Sequence, residues 1–421
     1  MNRLTLPVLL FVAAVTGICL GATAPLTALR LLEGGASAAQ IGILSALPAV
    51  GMMLAASLCA RLARRFHRRQ LFQACLALCL ASVALLEPAR HSLYSLAALR
   101  LGMGLGMGLV IILSEAWINE LSSDQRRGQS IAVYTTAYTG SQMLGPLLIS
   151  LLGTDGPAVI VTASVSLVLA WLALLGLDSS DPAASEADTA RSFSLAGFLR
   201  LAPTLCMGVL FFSFFDSVVL ALFPVYASDN GIAPAEAALM VSVILLGDMC
   251  LQLPLGWLAD RVPRAALHLA CGVCVLAIGA SLAWLIGAGS LLWPVLFLLG
   301  AAAGGTYTLA IVLIGERFRG QDLVTANAGA GLLFGLGSVL GPVVSGGLMQ
   351  ASSVGLPVAL SIAAGVFVCT AAGGLKPRSP ATQFPLTSSR LSLPRGTDTL
   401  RTVFKQRRPG LTTRFTKPAA P

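Results

Sequence analysis

Charged side chains are scarce in this sequence. Only 11% of its 421 residues are Asp, Glu, Lys or Arg, against roughly 25% in an ordinary soluble domain. Lysine is absent before position 376, and the whole chain contains three histidines. Hydrophobic residues make up 56% of the chain, more than one soluble core can bury, because such cores stop growing near about 250–300 residues. The composition therefore excludes a soluble protein and indicates a protein that is dissolved in lipid.

The basic charge is confined to one end of the chain. Residues 1–375 contain 17 arginines and 17 acidic residues, whereas residues 376–421 carry the whole net charge of +9. A basic domain surface is therefore excluded, and we predict no nucleic-acid partner. The segment 376–421 is rich in Pro, Ser, Thr and Arg, which is typical of a disordered cytoplasmic tail. The alternative is a juxtamembrane segment that is attracted to anionic lipid head groups.

Motifs for catalysis and metal binding are also missing. The sequence contains no G-x-S-x-G, no H-E-x-x-H and no phosphate-binding Gly-Lys-Ser/Thr. Cys271 and Cys274 form a C-x-x-C, but neither a second pair nor a histidine couple accompanies them. His67, His91 and His268 fall at the ends of predicted spans, so we expect no histidine buried at membrane depth. We predict a protein that is not an enzyme and that has no cofactor and no metal site.

Twelve apolar segments are each long enough to cross about 30 Å of hydrocarbon as a helix, at about 1.5 Å per residue. A secretory signal peptide explains the first segment poorly, because its apolar run is too long. We therefore predict an all-α polytopic membrane protein with twelve transmembrane helices, in which internal prolines are tolerated as kinks. The segments are residues 4–29, 39–60, 71–87, 92–114, 129–152, 157–177, 201–226, 236–258, 265–287, 290–314, 324–349 and 354–375.

Arginines between the segments predict the orientation. If the N-terminus lies inside, the cytoplasmic side has fourteen arginines and the outer side has only Arg30 and Arg90. The positive-inside rule favours this arrangement. We predict a multi-pass, monomeric protein of the bacterial inner membrane with both termini in the cytoplasm.

An internal repeat relates the two halves of the chain. Because the offset of 196 residues spans six segments, both halves keep the same orientation and are parallel repeats about an axis along the membrane normal. We predict an N-terminal six-helix bundle (1–177), a cytoplasmic linker (178–200), a C-terminal six-helix bundle (201–375) and the tail (376–421). The offset aligns Gly51 with Gly247, Arg65 with Arg261, Arg68 with Arg264, Gly104 with Gly300, Gly108 with Gly304, Glu120 with Glu316 and Leu144-Gly145-Pro146 with Leu340-Gly341-Pro342.

Three motifs within residues 1–375 resemble those of the major facilitator superfamily. Residues 256–264 (GWLADRVPR) resemble its signature G-x-L-x-D-R-x-G-R-[KR], with Pro263 in place of the second glycine. Residues 100–106 (RLGMGLG) resemble its Arg-then-glycine motif, and residues 337–342 (GSVLGP) resemble its G-x-x-x-G-P motif. The first-half copy of the signature, residues 60–69, has Ala60 for glycine and Arg64 for aspartate, which weakens the expectation of a gate contact in that half.

The resemblance implies the superfamily's twelve-helix fold and secondary active transport of a small molecule by alternating access, in a bacterial branch whose substrate the sequence does not identify. It also implies a cytoplasmic gate in which Arg261 and Arg264 pair with Glu316 and Asp260 faces the fifth segment near Gln129. The alternative is that these arginines only set the topology. The alternatives to transport are a passive channel, a non-transporting membrane sensor and, with least support, a membrane-embedded enzyme.

Three charged side chains lie within the spans, where they are costly and usually face a cavity or a partner. They are Arg100, Asp216 and Asp248, and Gln252 follows Asp248 by one helical turn. Two hypotheses stay open: Asp216 or Asp248 couples transport to protons, or an aspartate forms a buried ion pair with Arg100 that holds the halves together. All three depart from the repeat, since their counterparts are Leu296, Leu20 and Met52.

Other residues of the spans are candidates for lining the pathway or for packing the helices. For Glu115 the alternative is a place at the membrane interface beside Trp117. The further pathway candidates are Glu115, Tyr134, Tyr138, Gln142, Tyr307 and Asn327. The predicted packing positions, where small residues let helix backbones approach, are Gly104, Gly108, Gly145, Pro146, Gly300, Gly304, Gly341 and Pro342.

Overall fold

The structure is a computed structural model that describes residues 5–122, 127–176, 195–318 and 321–374. Within those ranges the regular secondary structure is helical throughout. The first half contains α1 (Thr5–Glu33), α2 (Ala38–Arg65), α3 (Arg68–Ala84), α4 (Leu93–Leu121), α5 (Arg127–Gln142), α6 (Leu144–Leu152) and α7 (Ala158–Ala173). The second half contains α8 (Leu195–Leu201), α9 (Pro203–Ala221), α10 (Phe223–Asp229), α11 (Pro234–Ala259), α12 (Arg264–Leu285), α13 (Leu292–Arg317), α14 (Gln321–Ala351) and α15 (Gly355–Gly374).

The predicted linker and tail fall mainly outside this description. Residues 178–194 of the linker and the whole tail (376–421) lie outside the described residues. At the end of the predicted linker, residues from Leu195 onward form α8, and the linker itself stays a prediction.

Ten of the helices are long and apolar enough to cross a membrane. The other two predicted spans fall on α3, which has only 17 residues, and on α5 and α6, which are separated at Met143. The polar sequence of α5, RGQSIAVYTTAYTGSQ, explains why it does not qualify by composition. The chain is therefore a multi-pass helical membrane protein, and the full count of twelve spans stays a prediction.

The six internal prolines lie within the helical course of the spans. Pro25, Pro48, Pro254 and Pro342 lie inside continuous helices. Before Pro146 and Pro224 the helix is divided at a single residue, Met143 and Leu222, and both of these keep right-handed helical dihedral angles. Proline removes a backbone donor and crowds the preceding turn, so these local divisions agree with the kinks predicted there.

Glycine contacts repeat between the halves at the offset seen in the sequence. A Cβ on Gly104 would overlap the carbonyl oxygen of Pro48, and a Cβ on Gly300 would overlap that of Ile244. Pro48 and Ile244 are themselves separated by the offset of 196 residues. These glycines therefore let α4 approach α2 and α13 approach α11 in the same way, and the two halves are packed alike.

The two halves meet along α2 with α14 and along α6 with α11. Gly42 of α2 lies against the carbonyl oxygen of Pro342, and Gly346 of α14 lies against that of Ala38. The hydroxyl of Ser242 on α11 donates a hydrogen bond to the carbonyl oxygen of Met143, 2.8 Å away. We call this interface the seam.

Candidate functional site

Two carboxyl groups of the second half lie together at the seam. Asp216 on α9 and Asp248 on α11 are close enough to interact electrostatically. The side-chain amide of Gln252 donates a hydrogen bond to Oδ1 of Asp248 at 3.3 Å, so the predicted shared face of this helix is confirmed. Gly304 of α13 leaves room for the carboxyl, because a Cβ there would lie 2.5 Å from Cγ of Asp248. Gly304 therefore accommodates a side chain as well as a neighbouring helix.

The first half contributes a row of polar side chains that faces these carboxyls. Tyr138 on α5 interacts electrostatically with Asp216 across the seam and lies beside the amide of Gln142. One turn earlier on α5, Tyr134 interacts with both Tyr138 and Glu115. The structure thus brings the predicted first-half and second-half pathway residues into one connected set.

An aromatic cluster, Phe212, Tyr307 and Phe334, forms the neighbouring part of the second-half wall. The rings of Phe212 and Tyr307 are stacked with centroids 5.0 Å apart. Phe334 meets Tyr307 edge-on at 5.9 Å and Phe212 at 6.4 Å. Glu115 of the first half interacts electrostatically with Tyr307, so this cluster also faces the seam.

Arg100 lies apart from the carboxyls. Its side chain is only 1% exposed, and its Nε and Nη1 atoms have no hydrogen-bond partner. No acidic group among the described residues forms an ion pair with it or interacts with it electrostatically. The hypothesis of a buried ion pair between Arg100 and an aspartate is therefore wrong for this conformation. The helical register places Arg100 among Leu96, Met103 and Met107, inside the first half.

Ion pairs at one end of the molecule connect helices within each half. Arg264 at the start of α12 contacts Glu316 near the end of α13, and it also contacts Asp260 at 2.9 Å. Arg68 at the start of α3 contacts Glu120 near the end of α4 at 2.6 Å. Each pair is related to the other by the offset of 196 residues. We call this the arginine-rich end, and the end that contains Arg30 the opposite end.

The described residues contain no group of three or more His, Cys, Asp or Glu side chains that could hold a metal ion. The polar set at the seam instead offers carboxyl, phenol and amide groups. These groups can exchange protons and can bind a polar or charged organic molecule.

Comparisons with known proteins decide the family. The family model of the Major Facilitator Superfamily matches the chain twice, over residues 8–215 and residues 205–416. The chain belongs to the major facilitator superfamily. The second superfamily match continues past residue 375, where we expected the resemblance to end, into residues that lie outside the described part of the chain.

Three similar members of the superfamily come from bacteria. The chain is 27% identical to the uncharacterised transporter YfkF of Bacillus subtilis, over 60% of this chain and 65% of that protein. It is 28% identical to YcaD of Escherichia coli, over 61% of this chain and 66% of that protein. It is 27% identical to Ent638_1421 of Enterobacter sp. (strain 638), over 74% of this chain and 80% of that protein. The matched region thus spans somewhat less than two thirds of YfkF and of YcaD.

Solved structures of superfamily members share the fold. The nucleoside transporter NupG gives a TM-score of 0.70 at 13% identity, covering 90% of this chain and 100% of that one. A D-xylose–proton symporter gives 0.67 at 17% identity, covering 88% and 97%. A bacterial homologue of the lysosomal transporter Spinster, in an inward-facing and occupied conformation, gives 0.69 at 17% identity, covering 87% and 94%. The predicted superfamily fold is therefore confirmed, and a family of transporters supports the prediction that the chain is not an enzyme.

The gate contacts implied by the superfamily signature are partly present. Arg264 contacts Glu316 as expected. Asp260 contacts Arg264 within its own half, and its expected approach to Gln129 of the other half stays a prediction. The guanidinium carbon of Arg261 lies 3.3 Å from the centre of the Trp257 ring, so its place is over an aromatic face rather than on Glu316. The gating role itself stays a prediction.

The first-half pair, Arg68 with Glu120, was not expected because the signature is degenerate there. Arg68 also lies over the ring of Trp117, 5.1 Å from its centre. The repeat contained the signal, since both partners align with Arg264 and Glu316 at one offset. Arg64 stands where the signature has an aspartate, so the first half lacks a counterpart of the contact between Asp260 and Arg264. The ion pair of Arg68 with Glu120 is nevertheless present.

His268 and Asn327 differ from their predicted positions. His268 is 1% exposed, and its Nε2 atom lies 2.9 Å from the carbonyl oxygen of Thr306. The expectation of no buried histidine is therefore wrong, although its repeat counterpart, Phe72, pointed to an interior position. Asn327 is exposed on α14, and no contact ties it to the carboxyls.

Proposed function

We propose that this chain is a secondary active transporter, which moves a small molecule across the bacterial inner membrane by alternating access and couples that movement to protons at Asp216 and Asp248. The proposal includes the predicted orientation, with the arginine-rich end and both termini in the cytoplasm. The observation that carries it is the pair of interacting carboxyls at the seam.

Two carboxyls that interact within a membrane protein favour proton binding. Ionised side chains are costly at membrane depth, and two neighbouring negative charges disfavour each other's ionisation. Among the described residues neither aspartate forms an ion pair with a basic group. A proton that binds to one of the two carboxylates removes its charge and with it the repulsion between them. Release of the proton restores that repulsion. Membership of a fold that includes a D-xylose–proton symporter agrees with this mechanism.

The close glycine contacts between the halves support alternating access. Those of α2 with α14 run along the seam from Ala38 and Gly346 at the opposite end to Met53 and Gly335 near mid-length. The ion pairs of the arginine-rich end lie within a half instead of between halves. With the predicted orientation, this arrangement corresponds to an inward-facing state, in which the halves touch on the outer side. Rocking one half against the other about the seam would exchange the two states.

Distance measurements between spin labels test the proposal. One pair of labels, at Gln40 and Gln350, reports the opposite end; a second pair, at Arg64 and Ala265, reports the arginine-rich end. All four residues are exposed. Double electron–electron resonance in lipid nanodiscs at pH 5 and pH 8 should show opposite changes at the two ends, because protonation changes the charge of the seam. Asp216→Asn together with Asp248→Asn should give the low-pH distribution at both pH values.

The control for this experiment is Asp229→Asn, which removes an exposed carboxyl at the end of α10 and should leave the pH response unchanged. Cys250 and Cys369, which are exposed, are replaced by Ser in every variant so that labels attach only at the chosen sites. A pH response that persists unchanged in the double Asn variant would contradict proton coupling at this pair. Identical distances at both ends under all conditions would contradict alternating access.

A further inference from the structure

Glu115 is a third unpaired carboxyl at the seam, and it lies in different surroundings from the aspartates. It is half-buried near the end of α4 that approaches the arginine-rich end. Its electrostatic neighbours are Tyr134 of its own half and Tyr307 of the other half. Among the described residues no arginine or histidine forms an ion pair with it. This carboxyl therefore has phenol groups, and no cation among the described residues, as its electrostatic neighbours.

The aromatic cluster provides the apolar side of the same place. Phe212, Tyr307 and Phe334 come from three different helices, and the centroids of their rings lie within 6.4 Å of one another. Tyr307 and Phe334 are only partly buried. Phe334 is the repeat counterpart of Tyr138, which faces Asp216 across the seam, so the symmetry of the halves also directs Phe334 to the seam.

Two buried hydroxyls lie beside Glu115. Ser114 is 0% and Tyr134 is 2% exposed, and the two side chains are hydrogen-bonding neighbours of each other, although the geometry between Ser114 Oγ and Tyr134 Oη is poor. Buried hydroxyls are normally hydrogen-bonded, since leaving one unsatisfied costs about 1–3 kcal/mol. This weakly bonded pair therefore adds polar groups to the surroundings of the carboxyl.

The combined chemistry selects a cation. The face of an aromatic ring carries partial negative charge and attracts cations, the more so when water is excluded. An anion would be repelled by three carboxyls, because the buried Arg100 interacts with none of them. A cation without apolar groups would make no apolar contact with the rings of Phe212 and Phe334. An organic cation can interact with both the carboxyl and the rings.

We propose that Glu115 and the aromatic cluster form the binding site for a monovalent organic cation with apolar substituents, and that this class of molecule is the transported substrate. The inference rests on the proposed transport function and names its substrate class. Tyr134 and Tyr138 connect this site to Asp216, since each interacts with the next. Cation binding and proton binding thus occur at separate carboxyls within one polar set.

Equilibrium binding of two probes of nearly equal shape tests the proposal. Tetraphenylphosphonium is a permanent cation, and tetraphenylborate is the corresponding anion, so their difference, after binding to empty nanodiscs has been subtracted for each, reports the charge preference of the protein and not apolar contact. The purified full chain in nanodiscs should bind tetraphenylphosphonium at least about tenfold more tightly. Glu115→Gln should weaken the binding of the cation about tenfold, and Tyr307→Leu about threefold to tenfold. Tyr307→Phe keeps the ring and should bind as the unmodified protein does.

Matched controls separate a lost site from a misfolded protein. Glu236→Gln removes an exposed carboxyl in the first turn of α11 and should not change the affinity. Every variant is compared by size-exclusion profile and thermal midpoint, and recovery of binding in Tyr307→Phe shows that loss in Tyr307→Leu comes from the missing ring. Equal binding of the two probes, or unchanged cation affinity in Glu115→Gln, overturns the substrate class.

These outcomes are distinguishable from failure of the proposed function, because equilibrium binding needs neither transport nor coupling. If tetraphenylphosphonium binds through Glu115 but the spin-label distances do not change with pH, the cation site is supported and proton coupling is contradicted. If the distances respond to pH through the aspartates while both probes bind equally, coupling stands and the cation site fails.

Discussion

The packing of Asp248 on Gly304 leads to a quantitative prediction about the variant Gly304→Ala. A Cβ at this position would lie 2.5 Å from Cγ of Asp248 and closer still to Oδ1. Real Cβ atoms essentially never approach within 3.0 Å, so the carboxyl must move away, by more than about 1 Å at its nearer oxygen, Oδ1. That shift disrupts the hydrogen bond from Gln252, which is already 3.3 Å long.

The expected cost follows from what must move. Overpacking in a well-packed interior costs about 1–3 kcal/mol. Because the Asp248 side chain can rotate, Gly304→Ala should lie near the lower limit, about 1 kcal/mol. Gly104→Ala in the first half should lie near the upper limit, about 3 kcal/mol, because its Cβ would meet the backbone carbonyl of Pro48 and the whole helix must move.

The assay is a double-mutant cycle with Asp248→Ala, using free energies of unfolding from titration of mixed micelles with sodium dodecyl sulfate. Removing the carboxyl should relieve Gly304→Ala, giving a coupling energy of about 1 kcal/mol. The effects of Asp248→Ala and Gly104→Ala on the free energy of unfolding should be additive within about 0.5 kcal/mol, because the two sites lie in different halves. Additivity in both cycles would refute the argument that Gly304 makes room for the carboxyl.

Two further predictions concern the ion pairs and the orientation. Arg68→Gln should lower the free energy of unfolding by about 1–2 kcal/mol, because the guanidinium is largely buried and also lies over Trp117. Arg264→Gln should lower the free energy of unfolding by less than about 1 kcal/mol, because its ion pairs are half-exposed. The same titration compares them, and an equal cost would contradict the dependence on burial. A cysteine replacing Arg64 should react with a membrane-impermeant maleimide only after the cells are opened, whereas one replacing Gln40 should react in intact cells; the reverse pattern would contradict the predicted orientation.

Local properties of the chain account for the parts of the fold that the sequence predicts. The spans are visible because lipid demands about 20 consecutive apolar residues in each helix. The repeat is visible because Gly104 and Gly300 must both be small for two backbones to approach. Pro146 and its repeat counterpart Pro342 share one local motif, yet only the first lies beside a division of its helix, at Met143, so the motif alone does not predict where a helix is divided.

The sequence predicted several residues of the candidate site but not how these residues are arranged. Asp216 and Asp248 stand out because charge is costly in a span and because both depart from the repeat, whereas Glu115 was a weaker candidate at the end of the fourth segment. Phe212 and Phe334 carried no such signal, since an aromatic side chain in an apolar helix is equally suited to the core or to lipid.

The sequence by itself determined that the chain is a helical membrane protein of two parallel repeats, because apolar length and a constant offset are properties of the linear order of residues. Only the tertiary structure decided that Arg100 lies away from the aspartates, that Arg68 pairs with Glu120 despite a degenerate motif, and that Glu115 and Tyr307 are electrostatic neighbours across the seam. Each of these depends on how helices far apart in the chain are rotated about their axes, and that rotation is set by packing between helices, which no single span encodes.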